Sequence, residues 1–295
     1  MVSVNRRERH DRNRYRAVNL HKNNISRYLI SIYRTRKMKK LILSLMLGLG
    51  LASQIHDLTA EDSKPLDYKY LVLSETVIED MNAFEALQKG WSSWRNDNNI
   101  KMADQTVWTD SQGYGFTAST HKSFSEIEEN NDIGQDAVTK YLSESADKNL
   151  QGHWRKMSTS YKNSVWKIRN DISGKSLSAD VGRWTDFRIN RFIHVKKEGM
   201  QDFVEFWKYM KDNDKEIENS YDYRIYENIY GYEGPCFMLT VGSSDVFNYY
   251  AEWKIREDKR EKTEKFEEMR TNYQNSIRKS VVHHLTLKRE LSYKK

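Results

Sequence analysis

The chain has 295 residues, of which 38% are hydrophobic and 31% charged, and its formal net charge is +7. It contains one cysteine, Cys236, which excludes an intrachain disulfide, and it is long enough for two domains of roughly 100 residues each. The sequence lacks a Walker loop, a dinucleotide-binding fingerprint and a Gly-x-Ser-x-Gly elbow. It also lacks the His-x-His and His-x-x-x-His spacings and the pair of cysteines that are typical of metal sites. It therefore predicts neither a metal site nor a bound cofactor.

The first 37 residues carry most of the positive charge. They hold eleven Lys and Arg residues against two acidic ones, a net charge of +9, and the rest of the chain sums to −2. We interpret residues 1–37 as a basic extension that is either disordered or translated from an upstream start codon. A long signal n-region and a eukaryotic targeting extension are the alternatives. With this segment set aside, the sequence predicts no nucleic-acid partner.

Residues 38–52 have the composition of a bacterial signal peptide. Lys39 and Lys40 precede an apolar run from Leu41 to Ala52 that ends in small residues. The run is too short to span a bilayer, which takes about 20 apolar residues. We expect an exported protein, periplasmic or secreted, without membrane contact after signal cleavage. Residues 53–65 are expected to form a disordered lead-in.

The segment 66–171 predicts the element order β-α-β-β-α-β. Alternating side chains predict strands at 68–77, 105–110, 114–119 and 164–170. A second helix is predicted from about residue 123 onward. The first helix is indicated by apolar residues at helical spacing, namely Met81, Phe84, Leu87, Trp91 and Trp94.

The segment 187–292, after a linker at 172–186, predicts the same order again. Strands are predicted at 187–196, 221–230, 236–241 and 281–291, and helices at 200–210 and 244–279. A motif repeated at an offset of 112 residues is predicted to lie on the second helix of each half. Its two copies are Trp154, Met157, Thr159, Tyr161, Asn163, Ser164, Val165 and Phe266, Met269, Thr271, Tyr273, Asn275, Ser276, Ile277.

This repeated order predicts an α+β fold of two tandem ferredoxin-like repeats. Each repeat would have a four-stranded antiparallel sheet with its helices on one face. The bare faces of the two sheets can then close on each other as an intrachain α/β barrel. Over residues 66–292 the order resembles the dimeric α/β barrel superfamily, which includes NIPSNAP-like proteins, antibiotic-biosynthesis monooxygenases and chlorite-dismutase-like haem proteins. No motif specific to one of these families occurs.

Strand alternation predicts which side chains line the barrel. Ile189, Ile193 and Val195 should face the helices, as should Val281, Leu285 and Leu287. The opposite faces should bring four polar side chains to one cavity, His194, Arg224, Tyr226 and His284. An arginine with histidines and a tyrosine could bind a small anionic or phenolic molecule. Antiparallel sheets also commonly have a solvated polar face without any function.

Two classes of function remain open. The protein is either an enzyme or binding protein that uses the barrel cavity, or a non-catalytic exported structural or interaction protein. An enclosed pocket containing Arg224 and a histidine favours the first class, whereas an interior filled by Phe192, Tyr226 and their counterparts favours the second. The oligomeric state is left open by the sequence.

Overall fold

The computed structural model describes residues 68–145, 157–174, 185–214 and 223–293, together with Leu150 and Gly152. The predicted extension (1–37), signal peptide (38–52) and lead-in (53–65) lie outside the described residues, as does most of the linker.

The first half begins with strand β1 (Tyr70–Ile78) and helix α1 (Met81–Asp97). Strands β2 (Thr106–Asp110) and β3 (Tyr114–His121), helix α2 (Phe124–Glu144) and strand β4 (Ser158–Ile168) follow. Side chains cap both helices at their first turn: Asp80 accepts a hydrogen bond from the Ala83 amide, and Ser123 accepts one from the Glu126 amide.

The second half consists of β5 (Phe187–Val195), α3 (Met200–Asp214), β6 (Tyr223–Tyr230) and β7 (Cys236–Ser243). Helices α4 (Val246–Lys259) and α5 (Glu264–Ser276) and strand β8 (Ile277–Leu287) complete it. The predicted order is confirmed, but the single helix predicted at 244–279 is two helices. Thr263 is the N-cap of α5, and its side chain accepts a hydrogen bond from the Phe266 amide. The first of the two helices therefore ends at Lys259 and the second begins at Glu264.

The two copies of the repeated motif do not occupy equivalent positions, and the helix predicted for the first copy was wrong for Thr159, Tyr161 and Asn163. Phe266 to Ser276 lie on α5, whereas Thr159 to Val165 lie on β4. Trp154 lies outside the described residues. Strand β4 pairs with β1 over nearly its whole length and with β6 on its other side. The spacing of the apolar residues in the motif fits a helix as well as a strand, and pairing with β1 and β6 decides for the strand. Aromatic and β-branched residues, which the motif contains, are also common in strands.

The eight strands form one closed antiparallel barrel in the order β1-β3-β2-β8-β5-β7-β6-β4. The strands of each half are adjacent, as β4-β1-β3-β2 and as β8-β5-β7-β6. Two seams join the halves: Trp108 pairs with Leu287 between β2 and β8, and Ile168 pairs with Tyr226 between β4 and β6. Closure leaves neither sheet with an open edge.

The barrel wall separates two cores. In the second half, an outer core lies between the wall and helices α3 to α5 and includes Ile189, Ile193, Phe203, Phe237 and Phe266. The inner core fills the barrel with side chains from all eight strands, among them Leu73, Trp108, Phe116, Trp166, Phe192, Tyr226, Met238 and Leu285.

The turn between β6 and β7 crosses close to β4 and requires a glycine. Gly231 has a φ of +101°, and a Cβ there would overlap the carbonyl oxygen of Asn163 and lie 2.7 Å from the Cα of Ser164. We expect Gly231→Ala to lower the free energy of unfolding by about 2–4 kcal/mol, because backbone strain and the overlap add together. Urea denaturation measures this.

Gly234 provides the matched control within the same turn. Its φ is +70°, but the nearest atom to an added Cβ is 3.8 Å away, on Arg278. Gly234→Ala should therefore show only the backbone strain, about 1 kcal/mol. Equal losses for the two variants would contradict the close approach of the turn to β4.

Candidate functional site

The predicted faces of β5 and β6 are confirmed. Ile189, Ile193 and Val195 belong to the outer core, together with Tyr223 and Ile225 of β6. Phe192 and Tyr226 belong to the inner core. Arg224 shares the inward-facing side of β6 with Tyr226 and is buried.

The predicted faces of β8 were wrong. Leu285 and Leu287 point into the barrel, and His283 shares their face and contacts the inner rings of Phe116 and Phe192. His284 points outward, with its Nε2 3.0 Å from the Tyr250 hydroxyl of α4. The prediction assumed that the polar side of each strand faces inward, whereas the interior of this barrel is mostly apolar.

One end of the barrel, which we call the Arg224 end, is formed by Tyr68, Arg188, Arg224 and Tyr226. Arg224 Nη1 donates a hydrogen bond to the Tyr68 hydroxyl at 2.8 Å. The Arg188 guanidinium lies 4.3 Å from the centre of the Trp108 ring. These four residues line a cavity of about 20 Å³, which has room for about one water molecule.

Tyr232, from the turn after β6, packs over the opposite end of the barrel. Its ring lies 5.4 Å from that of Phe192, and its hydroxyl donates to Glu75 Oε2 at 2.8 Å. Burial, with the nearby carboxylate of Glu75, raises the pKa of Tyr232. The Lys162 ammonium lies over the ring, and burial lowers the pKa of Lys162.

His194 lies at this Tyr232 end. Its ring centre is 5.8 Å from that of Tyr232. Burial lowers the pKa of His194, and the positive charges of Arg278, Lys279 and Lys162 lower it further. Neighbouring Cys236 is buried, and burial raises the pKa of its thiol to about 12. The thiol is therefore protonated at neutral pH and behaves as a small apolar group rather than a nucleophile.

The four predicted site residues therefore do not meet at one cavity. Arg224 and Tyr226 share the Arg224 end. Asn190 of β5 and Arg224 of β6 both pair with Thr240 of β7, so they lie at the same level of the barrel. His194 is four residues after Asn190 on β5, which places it about 13 Å from that level at the usual rise of a strand. His284 is on the outer side of the wall. Only two of the four side chains can contact the same small ligand.

A buried Asp–His pair lies inside the barrel, and sequence reasoning missed it. His283 Nδ1 is 2.9 Å from Asp110 Oδ2, and both side chains are almost fully buried. Asp110 Oδ1 also accepts hydrogen bonds from the amides of Gln112 and Tyr114. The signal in the sequence was that His283 lies on the same face of β8 as Leu285 and Leu287, because alternate residues of a strand share a face. These three residues face inward together. The pair fixes the orientation of the imidazole ring.

Neither a metal cluster nor a membrane-spanning helix is evident in the described part of the chain. No group of three His, Cys, Asp or Glu side chains there is arranged to hold a metal ion. None of the described helices is both long enough and apolar enough to cross a membrane.

A scan against protein-family models and a search of curated protein sequences found no match. Similar solved structures include an anthrone oxidase-like protein, with a TM-score of 0.47 and 9% identity over 78% of this chain and 94% of that one. A mutant chlorite dismutase from Candidatus Nitrospira defluvii has a TM-score of 0.44 and 9% identity, over 77% of this chain and 93% of that one. A candidate monooxygenase from Lactobacillus acidophilus NCFM has a TM-score of 0.42 and 10% identity, over 77% and 96%. The strand order and closure of the barrel confirm the dimeric α/β barrel architecture that the element order predicts.

Proposed function

We propose that the protein binds a small anionic or phenolic molecule at the Arg224 end of the barrel. The observation that supports this is the convergence of two guanidinium groups, from Arg188 and Arg224, with Tyr68 and Tyr226 on one cavity. A cation away from bulk water binds an anion more strongly than an exposed one does. Guanidinium groups also donate paired hydrogen bonds to carboxylate or phenolate oxygens.

Binding requires a change at Tyr68. The cavity of about 20 Å³ accommodates a single water molecule, and Tyr68 occupies one hydrogen-bonding position of Arg224. Tyr68 precedes β1, so it can move without breaking the barrel ladders. A ligand that displaces the Tyr68 ring would take over its hydrogen bond from Arg224. The role is one of binding, because His194 and His284 lie elsewhere.

Calorimetric titration of the full chain with acetate and with phenol tests this proposal. Saturable binding of either probe is expected, and Arg224→Met should weaken it by about tenfold or more, since a charge-assisted hydrogen bond is lost. Arg289→Met, which removes an exposed guanidinium paired with Asp186, is the control and should bind as the unmodified protein does. Binding that is unchanged in Arg224→Met, or no binding of either probe, would disprove the proposal.

The second candidate function is that of a non-catalytic structural or interaction protein. It is favoured by the dense filling of the barrel, where Trp108, Phe116 and Trp166 are at most 1% exposed. On the outside, Phe247 and Ile255 of α4 are 84% and 50% exposed. For this candidate, native mass spectrometry should show an assembly that Phe247→Ser disrupts. A monomer at all concentrations would argue against it.

We infer that the two halves are tandem ferredoxin-like repeats, residues 66–171 and 187–292. The support is their common strand order, in which the last strand lies beside the first and the second strand is outermost. Co-expression of the two halves as separate chains should yield a complex with the far-ultraviolet circular dichroism of the full chain. Halves that form no complex would contradict this inference.

We also infer that the protein is exported, as either a periplasmic or a secreted protein. The support is the sequence of residues 38–52, in which two lysines precede an apolar run ending at Ala52. N-terminal sequencing of the protein recovered from expressing bacteria should give Ser53 as the first residue. A product that keeps residues 38–52 would contradict export.

A further inference from the structure

A larger cavity lies outside the barrel wall, in the outer core of the second half. We call it the outer cavity. Its volume is about 190 Å³, and it is lined by side chains from β5, β7, α3, α4 and α5. Its walls are largely aromatic and include Phe206, Trp207, Tyr249, Trp253, Phe266 and Tyr273. The barrel wall separates it from the Arg224 end.

Arg191 places a positive charge in the floor of this cavity. The other outward-facing residues of β5 are buried apolar side chains, including Ile189 and Ile193 on either side of Arg191. Its strand partners are Leu239 and Val282, so a guanidinium interrupts an otherwise apolar surface. Among the residues that the structure describes, no carboxylate lies within ion-pair distance of Arg191.

The Arg191 guanidinium lies close to two tyrosines of the cavity. Burial raises the pKa of Tyr249 and of Tyr273, and the positive charge of Arg191 opposes that rise at both hydroxyls. Arg191 lines the same cavity as Tyr249 of α4 and Tyr273 of α5. The cavity thus combines a cation, hydroxyl groups and aromatic faces.

The break between α4 and α5 adds further positive charge. Arg260, in the break, has a nearly buried side chain that pairs with Glu257. Arg270 of α5 also lines the cavity and lies 3.7 Å from Glu267, a pair that is largely exposed. The lining therefore contains three guanidinium groups and one carboxylate, Glu257, and two of these guanidinium groups are paired with Glu257 and Glu267.

Helix α4, which covers this cavity, has an unusual distribution of side chains. Its buried residues are Tyr249 and Arg256, and Arg256 pairs with Glu252. Its apolar residue Phe247 is exposed instead. A helix that only covered an apolar sheet would turn its apolar side inward. Of the two buried side chains of α4, Tyr249 lines the outer cavity.

We propose that the outer cavity, which is partly open to solvent at the exposed Arg191 and Trp253, binds a single-ring aromatic carboxylate, held by Arg191 and flanked by the aromatic walls. A cavity of about 150 Å³ accommodates benzene, so the observed volume suits one ring with a carboxylate. The guanidinium provides charge-assisted hydrogen bonds, and the tryptophan and tyrosine rings provide stacked or edge contacts. This site is independent of the one proposed at the Arg224 end.

Titration of the full chain with benzoate tests the proposal. Calorimetry should show saturable binding with a dissociation constant of about 1 mM or tighter. Tryptophan fluorescence should change in parallel, because Trp207 and Trp253 line the cavity. Arg191→Met should weaken binding by about tenfold or more, and the exposed Arg191 can be replaced without disturbing the core. Arg289→Met is the control and should leave the affinity unchanged.

Two further probes separate the contributions of charge and ring, and they are compared with benzoate in the Arg224→Met variant, so that binding at the Arg224 end does not contribute. Benzylamine has the ring with a positive charge, and acetate has the carboxylate without the ring. Each should bind at least about tenfold more weakly than benzoate. The proposal is overturned if benzoate fails to bind, if Arg191→Met binds it equally well, or if either probe matches benzoate. Acetate binding to the unmodified protein that is lost in Arg224→Met and kept in Arg191→Met belongs to the Arg224 end.

Discussion

Replacing Trp166 with alanine is expected to lower the free energy of unfolding by about 3–5 kcal/mol. Trp166 is fully buried in the inner core, with its ring 5.7 Å from that of Phe192 and 5.0 Å from that of Tyr232. Its Nε1 donates to Ser164 Oγ at 2.8 Å. The substitution removes these contacts and leaves a void that strands on all sides prevent from collapsing. Urea denaturation followed by circular dichroism measures the loss.

Trp253→Ala is the matched control for Trp166→Ala. Trp253 is 45% exposed on α4, so its removal should cost no more than about 1 kcal/mol. The void in Trp166→Ala should also bind indole, which would raise the unfolding midpoint of this variant and not that of the unmodified protein. A loss below about 1 kcal/mol for Trp166→Ala would contradict a filled barrel.

Asp110→Ala is expected to cost a similar amount, about 3–5 kcal/mol, because it breaks a buried hydrogen-bonded pair. The carboxylate accepts hydrogen bonds from His283 and from the amides of Gln112 and Tyr114. Alanine would leave all three groups without this acceptor, two of them at the turn between β2 and β3. Thermal and urea unfolding of the purified variant measure the change.

Asp110→Asn separates the turn from the buried pair. The asparagine carbonyl oxygen can still accept from the two turn amides, while its NH₂ group faces His283 and requires the imidazole Nδ1 to become an acceptor. We expect Asp110→Asn to retain more stability than Asp110→Ala. If the alanine variant is as stable as the unmodified protein, the pair does not contribute to the folded state.

The order of elements could be predicted from sequence because each helix and strand carries its own periodicity. The faces of β5 and β6 were also accessible, since Ile189, Ile193 and Ile225 mark the side covered by helices. Both faces of β8 contain apolar residues, Val282 on one and Leu285 on the other. The alternation of side chains along this strand therefore could not identify the inner face. The inner face of β8 follows only from the closed barrel.

The polar contacts of the interior depend on pairings between distant parts of the chain. Asp110 and His283 are 173 positions apart, and they meet only because β2 and β8 form a seam. The motif in β4 shows the same dependence, since its spacing fits a helix as well as a strand and pairing with β1 decides between them. The outer cavity had a local sequence signal, the arginine at position 191 within an apolar strand.

The two seams lie within a single polypeptide, and this frees the barrel from exact symmetry. In a homodimer every interior side chain would occur twice, related by a two-fold axis. Here the seam between β2 and β8 contains the buried Asp110–His283 pair, whereas its counterpart between β4 and β6 has Ile168 beside Tyr226 and an ion pair between Arg169 and Glu227. Substitutions can therefore accumulate at one seam without being imposed on the other. A single chain can therefore place a buried acid–histidine pair at one seam without repeating it at the other.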